Sequence, residues 1–206
     1  MHNMLEFTLE EMIAKTSKRQ ASFQIMIDHL KTIENPVIIE TGSIRPSDQP
    51  WGTLDISFKD DGMSTCIFDR YINEYNGEFH SVDMTPEHAE YAESMISDKS
   101  EVHCAESVGF LWAASKALAE EDQYVDLLYL DSYDYTEGNE AACMAHHIKE
   151  LAAISSRLRP GSMIAVDDNY GTPSNRQGKG VYLIEFMESI GVPMIYDGVQ
   201  CIWKLT

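Results

Sequence analysis

Short apolar runs alternate with stretches of helical periodicity along most of this chain, and that alternation limits the fold more than any other feature. "VIIE" (37–40), "EFHSVDM" (78–84), "EVHCA" (101–105), "VDLLYLD" (125–131) and "SMIAVDD" (162–168) read as strands. Continuous apolar runs of this length suit strands covered on both faces. Between and after them, residues 62–75, 85–96, 107–121, 137–158 and 180–191 read as helices. Strand and helix in this order predict an α/β, Rossmann-like, mainly parallel sheet with helices on both faces. The last two apolar runs flank Asp197-Gly198, a type I′ hairpin signal that adds one antiparallel strand. At the start, Thr8-x-x-Glu11 has the form of a capping box. It opens a helix expected over 8–33, with Ile13, Phe23, Ile27 and Leu30 at helical spacing and Pro36 ending the pattern. Without a linker or an internal repeat, the expectation is one domain over 1–206. The N-terminal helix, an irregular insertion at 44–61 and a loop at 170–179 are its expected substrate-side elements.

Net charge narrows the partners. The 34 acids against 15 bases give −19, a surface that repels phosphate backbones and anionic membranes. Nucleic acid and membrane are therefore not expected partners. No apolar run approaches the roughly 20 residues of a membrane span. The polar, acidic "MHNMLEFTLEEM" at the start is unlike a signal peptide. Cysteines 66, 104, 143 and 201 form no C-x-x-C pair and read as small buried thiols in a reducing compartment, so a cytoplasmic setting is expected.

In an open α/β sheet the ligand lies beyond the carboxyl ends of the strands. The first strand ends in Glu40-Thr-Gly-Ser43, the second in Asp83, and the third in Ala105-Glu-Ser107. The fourth ends in Asp131, and the fifth in Asp167-Asp168-Asn169. Each has a plain alternative. Gly42 suits any turn, and Asp83 suits the position before a helix capped by Thr85. Glu106 suits a helix N-terminus through the dipole, and Asp167-Asp168 a polar turn. His146-His147 read as solvated or core helix residues, and Trp112 as core. Trp51 is read equally as a substrate cover or a loop anchor.

The ordered set of "VIIETGS", "HSVDMTPEHAEYA", "LLYLDSYDY" and "LRPGSMIAVDDN" resembles the class I S-adenosylmethionine-dependent methyltransferases over about residues 35–206. Within them it is similar to the metal-dependent small-molecule O-methyltransferases, of the catechol type and the macrolide or aminocoumarin sugar type. The resemblance implies a seven-stranded sheet whose last strand is antiparallel, and S-adenosylmethionine as cofactor. It implies cofactor contacts at Glu40, Thr41, Gly42 and Ser43, with Glu40 fixing the amino group. Gly62-Met-Ser64-Thr65 would hold the cofactor carboxylate, Asp83 the ribose, and Glu106 and Ser107 the adenine, with Asp131 adjoining.

It also implies a Mg²⁺ or Mn²⁺ ion on Asp131 and the residues ending the fifth strand, Asp167 and Asp168, with Asn169 held as a further ligand. That assignment fits a charge argument. Two like charges about 4 Å apart cost about 4 kcal/mol at an effective dielectric of 20, so three carboxylates need a proton or a cation among them. Arg176 and Lys179 are the nearby bases in sequence. At the position where relatives carry a lysine or histidine base, this chain has Asp134. Asp134 and Asp131 are the candidate catalytic residues. The expected activity is O-methylation of a small-molecule hydroxyl, with a homo-oligomer left open. An inactive methyltransferase-like binding protein is one alternative. A nicotinamide-dependent oxidoreductase is another, although it would need G-x-G-x-x-G after the first strand.

Overall fold

The computed structural model describes residues 7–46 and 63–206. Trp51, Gly62 and most of the 44–61 insertion lie outside them. Thr8 caps the first helix, α1 (Leu9–Lys15), through the expected box: its hydroxyl accepts from Glu11 N at 3.2 Å, and Glu11 Oε2 accepts from Thr8 N at 2.8 Å. The single helix expected over 8–33 is instead two. Ser17 takes a left-handed φ of 52°, and the Thr16 hydroxyl donates to the Ile13 carbonyl at 2.8 Å. A 3₁₀ turn at Ser17–Arg19 then leads into α2 (Gln20–Leu30). The break aims Arg19 inward. Ile13, Phe23, Ile27 and Leu30 are all buried, as their spacing predicts.

The chain continues as β1 (Val37–Thr41), α3 (Ser64–Tyr75), β2 (Glu78–Asp83), α4 (Pro86–Met95), β3 (Glu101–Cys104), α5 (Ser107–Glu120), β4 (Leu127–Leu130), α6 (Glu140–Ile154) and β5 (Met163–Val166). A small hairpin, β6 (Asn169–Thr172) and β7 (Asn175–Gly178), follows. It replaces the loop expected at 170–179. Gly171 and Gly178 supply its positive φ values, and Arg176 ties it to Asp197 with two bonds of 2.7 and 2.8 Å. Helix α7 (Val181–Ser189), β8 (Met194–Asp197) and β9 (Cys201–Lys204) close the chain.

The seven-stranded sheet runs β3-β2-β1-β4-β5-β9-β8, with β9 antiparallel to both neighbours and the rest parallel. Alternate side chains leave each strand on opposite faces. Ile38, Leu127, Tyr129 and Met163 pack under α1, α2 and α3, while Val37, Ile39, Leu128 and Ile164 pack under α5, α6 and α7. The terminal hairpin is present, but Gly198 to Gln200 link its strands and Gly198 is not left-handed, so the turn is not type I′. Gln200 is drawn inward to donate to Tyr129 and Asp167. Cys66, Cys143 and Cys201 are buried, whereas Cys104 is exposed; all four are free thiols. Trp112, expected in the core, is 58% exposed, with Lys116 Nζ 3.3 Å from its ring centre. No helix among the described residues is long and apolar enough to cross a membrane.

Arg19 fastens the helical pair to the sheet. Its Nε donates to both oxygens of Asp167 at 2.8 and 3.0 Å, and its Nη2 to Asp168 at 3.1 Å. Both side chains of the Arg19–Asp167 pair are almost fully buried. Removing one member of such a pair strands the other charge, which costs about 3–5 kcal/mol. Arg19→Ala should therefore lower the urea-unfolding free energy by that amount. A loss below about 1 kcal/mol, the scale of an exposed pair, would show that Arg19 is not the fastener.

Candidate functional site

A cleft of about 320 Å³ lies at the carboxyl ends of β1, β2 and β4, where Gly42, Ser43, Asp83 and Asp131 meet. Gly42 has φ +84°, and a Cβ there would sit 2.6 Å from the Asp131 carbonyl oxygen. The glycine thus lets the end of β1 pass against the end of β4. Ser43 N donates to Asp83 Oδ2 at 3.3 Å, and Ser43 Oγ lies 2.8 Å from Ser81 Oγ.

Beneath this turn Glu40 is completely buried. Its Oε2 accepts from Thr65 Oγ1 and Ser81 Oγ, both at 2.6 Å, while Oε1 has no partner. Burial pushes its carboxyl up to about 7 against the pull of the surrounding hydroxyls. The buried Thr41 hydroxyl also lacks a partner. A buried polar atom without a hydrogen bond is costly, so an orphaned carboxylate oxygen here suits a cationic or donor group entering from the cleft. Ser64 lines the cleft at the start of α3, which no side chain caps. Its first N–H groups, capped by no side chain among the described residues, suit an anionic group.

Asp83 accepts from Thr85 N at 2.8 Å and faces His88 Nδ1 at 3.5 Å. Thr85 itself makes no side-chain cap, so part of the capping role falls to Asp83. Asp83 nevertheless lines the cleft. Glu106 does not. Its two oxygens accept from Val108 N and Gly109 N at 3.1 and 2.8 Å, capping α5. Ser107 Oγ lies 2.9 Å from His146 Nε2. The third strand end thus serves a helix cap and a buried network rather than the cleft. That network runs through Glu150 to Ser132, whose hydroxyl donates to Glu150 Oε1 at 2.6 Å and which lines the cleft. His147 is buried, with Nδ1 2.9 Å from the Cys143 carbonyl.

Asp131 and Asp168 line the cleft and Asp167 is buried, but the ligand atoms of the three do not all lie within 4.8 Å of one another, and side chains compensate them. Lys179 Nζ donates to Asp131 Oδ1 at 2.6 Å and to the Asp131 carbonyl at 2.9 Å, and lies 3.1 Å from Asp168 Oδ2. Arg19 holds Asp167 and reaches Asp168. Asp167 also accepts from Tyr129 OH at 2.6 Å. Burial works against the Lys179 ammonium, but Asp131 and Asp168 hold its proton above the ordinary lysine range. Burial lifts Asp131 well above the ordinary carboxylate range; Lys179 opposes this, and Asp167 and Asp168 add to it. Asp168 feels the same burial but is held low by Lys179, Tyr170 and Arg19.

Asn169 is spent on structure: its amide donates to the Val166 and Asp167 carbonyls and its oxygen accepts from Gly180 N. Lys179 therefore already bridges Asp131 and Asp168, two of the expected Mg²⁺ ligands, and Asn169 is engaged through both its amide nitrogen and its oxygen. As arranged, these four residues do not fit a divalent ion. Asp134 lies at the exposed rim, paired with Arg45 Nη1 at 3.0 Å. Three bulky or charged residues around the cleft, Met63, Tyr133 and Asp168, hold left-handed φ values of 51°, 51° and 54°. Such strain clusters at functional sites. Arg19, Tyr129 and Gln200 carried no sequence signal. Lys179 did, as one of two bases just beyond the acidic strand end.

Comparison with known proteins agrees with this architecture. Residues 60–169, just over half of the chain, match the family model described as "Methyltransferase domain". No curated protein matches the chain in sequence. Among solved structures, CalS11, a calicheamicin methyltransferase, is 13% identical with a TM-score of 0.57, over 91% of this chain and 80% of its own. MycE, a methyltransferase of the mycinamycin pathway solved with Mg and S-adenosylhomocysteine, is 12% identical with a TM-score of 0.55, over 86% of this chain. The chain spans about half the length of MycE (48%). A structure described as a putative rRNA-methylase from Clostridium thermocellum is 12% identical with a TM-score of 0.52, over 88% of this chain and 95% of its own. At these identities the likeness is one of fold. With the family match and the ordered strand ends, it shows that the chain belongs to the methyltransferase-domain family and has the class I S-adenosylmethionine-dependent fold.

Proposed function

We propose that this protein transfers a methyl group from S-adenosylmethionine to a hydroxyl of a small molecule, and that Lys179 supplies the positive charge that a divalent ion supplies in metal-dependent relatives. The observation that carries this reading is one cleft with two unlike ends. Asp83 and Ser64 line a cofactor end, with the orphaned Glu40 oxygen buried near the Gly42 turn, while Asp131 on the Lys179 ammonium makes an acceptor end. The net charge of −19 disfavours a nucleic-acid acceptor. CalS11 is a TDP-rhamnose 3'-O-methyltransferase, and sugar O-methylation of that kind is consistent with a polar, hydroxylated substrate.

When bound, S-adenosylmethionine supplies a methyl group on a sulfonium leaving group. Glu40 Oε1 suits its amino group, the α3 N-terminus its carboxylate, and Asp83 its ribose hydroxyls. Glu106 and Ser107 are engaged elsewhere, so the adenine depends on other residues. At the acceptor end Asp131 takes the substrate hydroxyl proton. Burial raises its proton affinity, which suits it to act as the base, whereas Asp134 lies at the exposed rim in an ion pair with Arg45. Lys179 remains an ammonium, orients Asp131 and offsets the charge that develops on the attacking oxygen. The cleft walls set the line of attack and exclude water.

Isothermal titration with S-adenosylhomocysteine, against NADH as control, tests the cofactor end. Asp83→Ala should weaken binding by about 1.5–3 kcal/mol, the scale of a hydrogen bond to a charged group. Unchanged affinity would remove Asp83 from the site. Because Glu40 sits near 7 in the free protein, an ammonium beside it lowers that value, and binding releases protons. The heat should therefore depend on buffer ionisation at about pH 6–7, with protons released, and reverse the sign of that dependence near pH 9, where Glu40 is already ionised and the ligand's α-amino group, ordinarily titrating at about 8, takes up a proton on binding. Glu40→Gln should abolish the release.

At the acceptor end, methyl transfer to a panel of sugars and phenols should rise with pH through a limb set by Asp131, above the ordinary aspartate value. Asp131→Asn should lower the rate about 10²–10⁴-fold, the usual contribution of a general base, with S-adenosylhomocysteine binding retained. An unchanged pH limb in that variant would assign the base elsewhere. Cofactor binding with no transfer to any acceptor would favour an inactive binding protein.

A further inference from the structure

We propose that His80, Glu101 and His103, on the edge of the sheet and outside the cleft, form a binding site for a zinc-class divalent cation. The ladder brings them together. His80 is opposite Glu101 in the β2–β3 pairing, and His103 follows Glu101 by two residues. Opposed residues, and residues two apart, share one face of a sheet, so all three side chains emerge on the same side.

Their ligand atoms converge on one point. His80 Nδ1 lies 3.2 Å from His103 Nε2 and 3.5 Å from Glu101 Oε2, and His103 Nε2 lies 3.6 Å from that same oxygen. This is a nearly equilateral triangle. Ligands about 2.0–2.2 Å from a tetrahedral Zn²⁺ are themselves roughly 3.3–3.6 Å apart, so the triangle has the size of one face of a zinc tetrahedron. Among the described residues it is the only group of three or more His, Cys, Asp or Glu whose ligand atoms all lie within 4.8 Å of one another. The acidic residues of the cleft are not so gathered.

The donor set points to the class of ion. Two imidazoles and one carboxylate suit zinc or a similar transition metal, and Mg²⁺ prefers an all-oxygen shell. The Glu78 carboxylate stands 4.0 Å from the far nitrogen of His80, on the side where an orienting acceptor belongs. The His103 ring rests against Phe110, with centroids 4.5 Å apart. The side chains are 25%, 65% and 31% exposed for His80, Glu101 and His103, which leaves an entry path and room for a water as fourth ligand. A plain imidazole–imidazole hydrogen bond accounts for the 3.2 Å contact but does not require a carboxylate oxygen nearly equidistant from both nitrogens. β3 has four residues, none buried, and pairs on one side only. A cation here ties it to β2, the strand that ends in Asp83.

The test is calorimetric titration of the chelator-treated chain with ZnCl₂, with thermal unfolding and Co²⁺ absorption alongside. One equivalent of Zn²⁺ per chain, a raised unfolding temperature and the visible bands of four-coordinate Co²⁺ are expected. All three should be lost in His103→Gln and His80→Gln variants that keep the parent's circular dichroism. Should those variants not fold, Glu101→Gln, at the most exposed position, should bind at least tenfold more weakly. Absence of stoichiometric binding, binding unchanged in the variants, or binding removed by Asp168→Asn in the cleft would each overturn the proposal.

Discussion

Asp131, Asp167 and Asp168 meet at the ends of two adjacent parallel strands, and the rest of the site follows from how that charge is balanced. Three carboxylates in a partly desolvated cleft repel one another by several kcal/mol, so the fold must bring cations to them. It brings two. Lys179 comes from the start of α7 and bridges Asp131 and Asp168. Arg19 comes from the break between α1 and α2 and holds Asp167 in a two-oxygen grip. Both cations are almost fully buried, so neither charge is stable there without its acids.

This balance links parts of the chain that are distant in sequence. Asp167 also accepts from Tyr129 in β4 and from Gln200 in the terminal hairpin, and Gln200 accepts from Ser22 in α2. The N-terminal helices, the central strands and the closing hairpin thus share one buried network. Its far side is the end of the cleft at Asp131 and Lys179. The same contacts that fix α1 and α2 to the sheet also orient Asp168, and through it the ammonium beside Asp131.

Much of this was legible in the sequence because it is periodic or terminal. Apolar runs located the strands, their order implied the parallel sheet, and the acids at their ends marked the cleft. What escaped depends on contacts between residues far apart. Nothing local distinguishes Arg19 from any helical arginine; its role arises from a left-handed Ser17 and a carboxylate 148 positions later. The charge argument required a proton or a cation, and left open whether a cation would be an ion or a side chain. Glu106 followed the alternative reading, because a carboxylate at a helix start bonds to the free N–H groups nearest it. The 169–178 hairpin was hidden because Gly, Pro and polar residues mark a turn and an irregular loop equally well.

The central claim is that Lys179, rather than a bound metal, supplies the positive charge of the acceptor end. Titrating Mg²⁺ and Mn²⁺ into chelator-treated protein during methyl transfer tests it directly. The account predicts a rate that is already present without either ion and stays flat as each is added. A rate that is absent without them and rises to saturation as they are added would mean that a metal displaces Lys179 from Asp131 and Asp168, and would contradict the account.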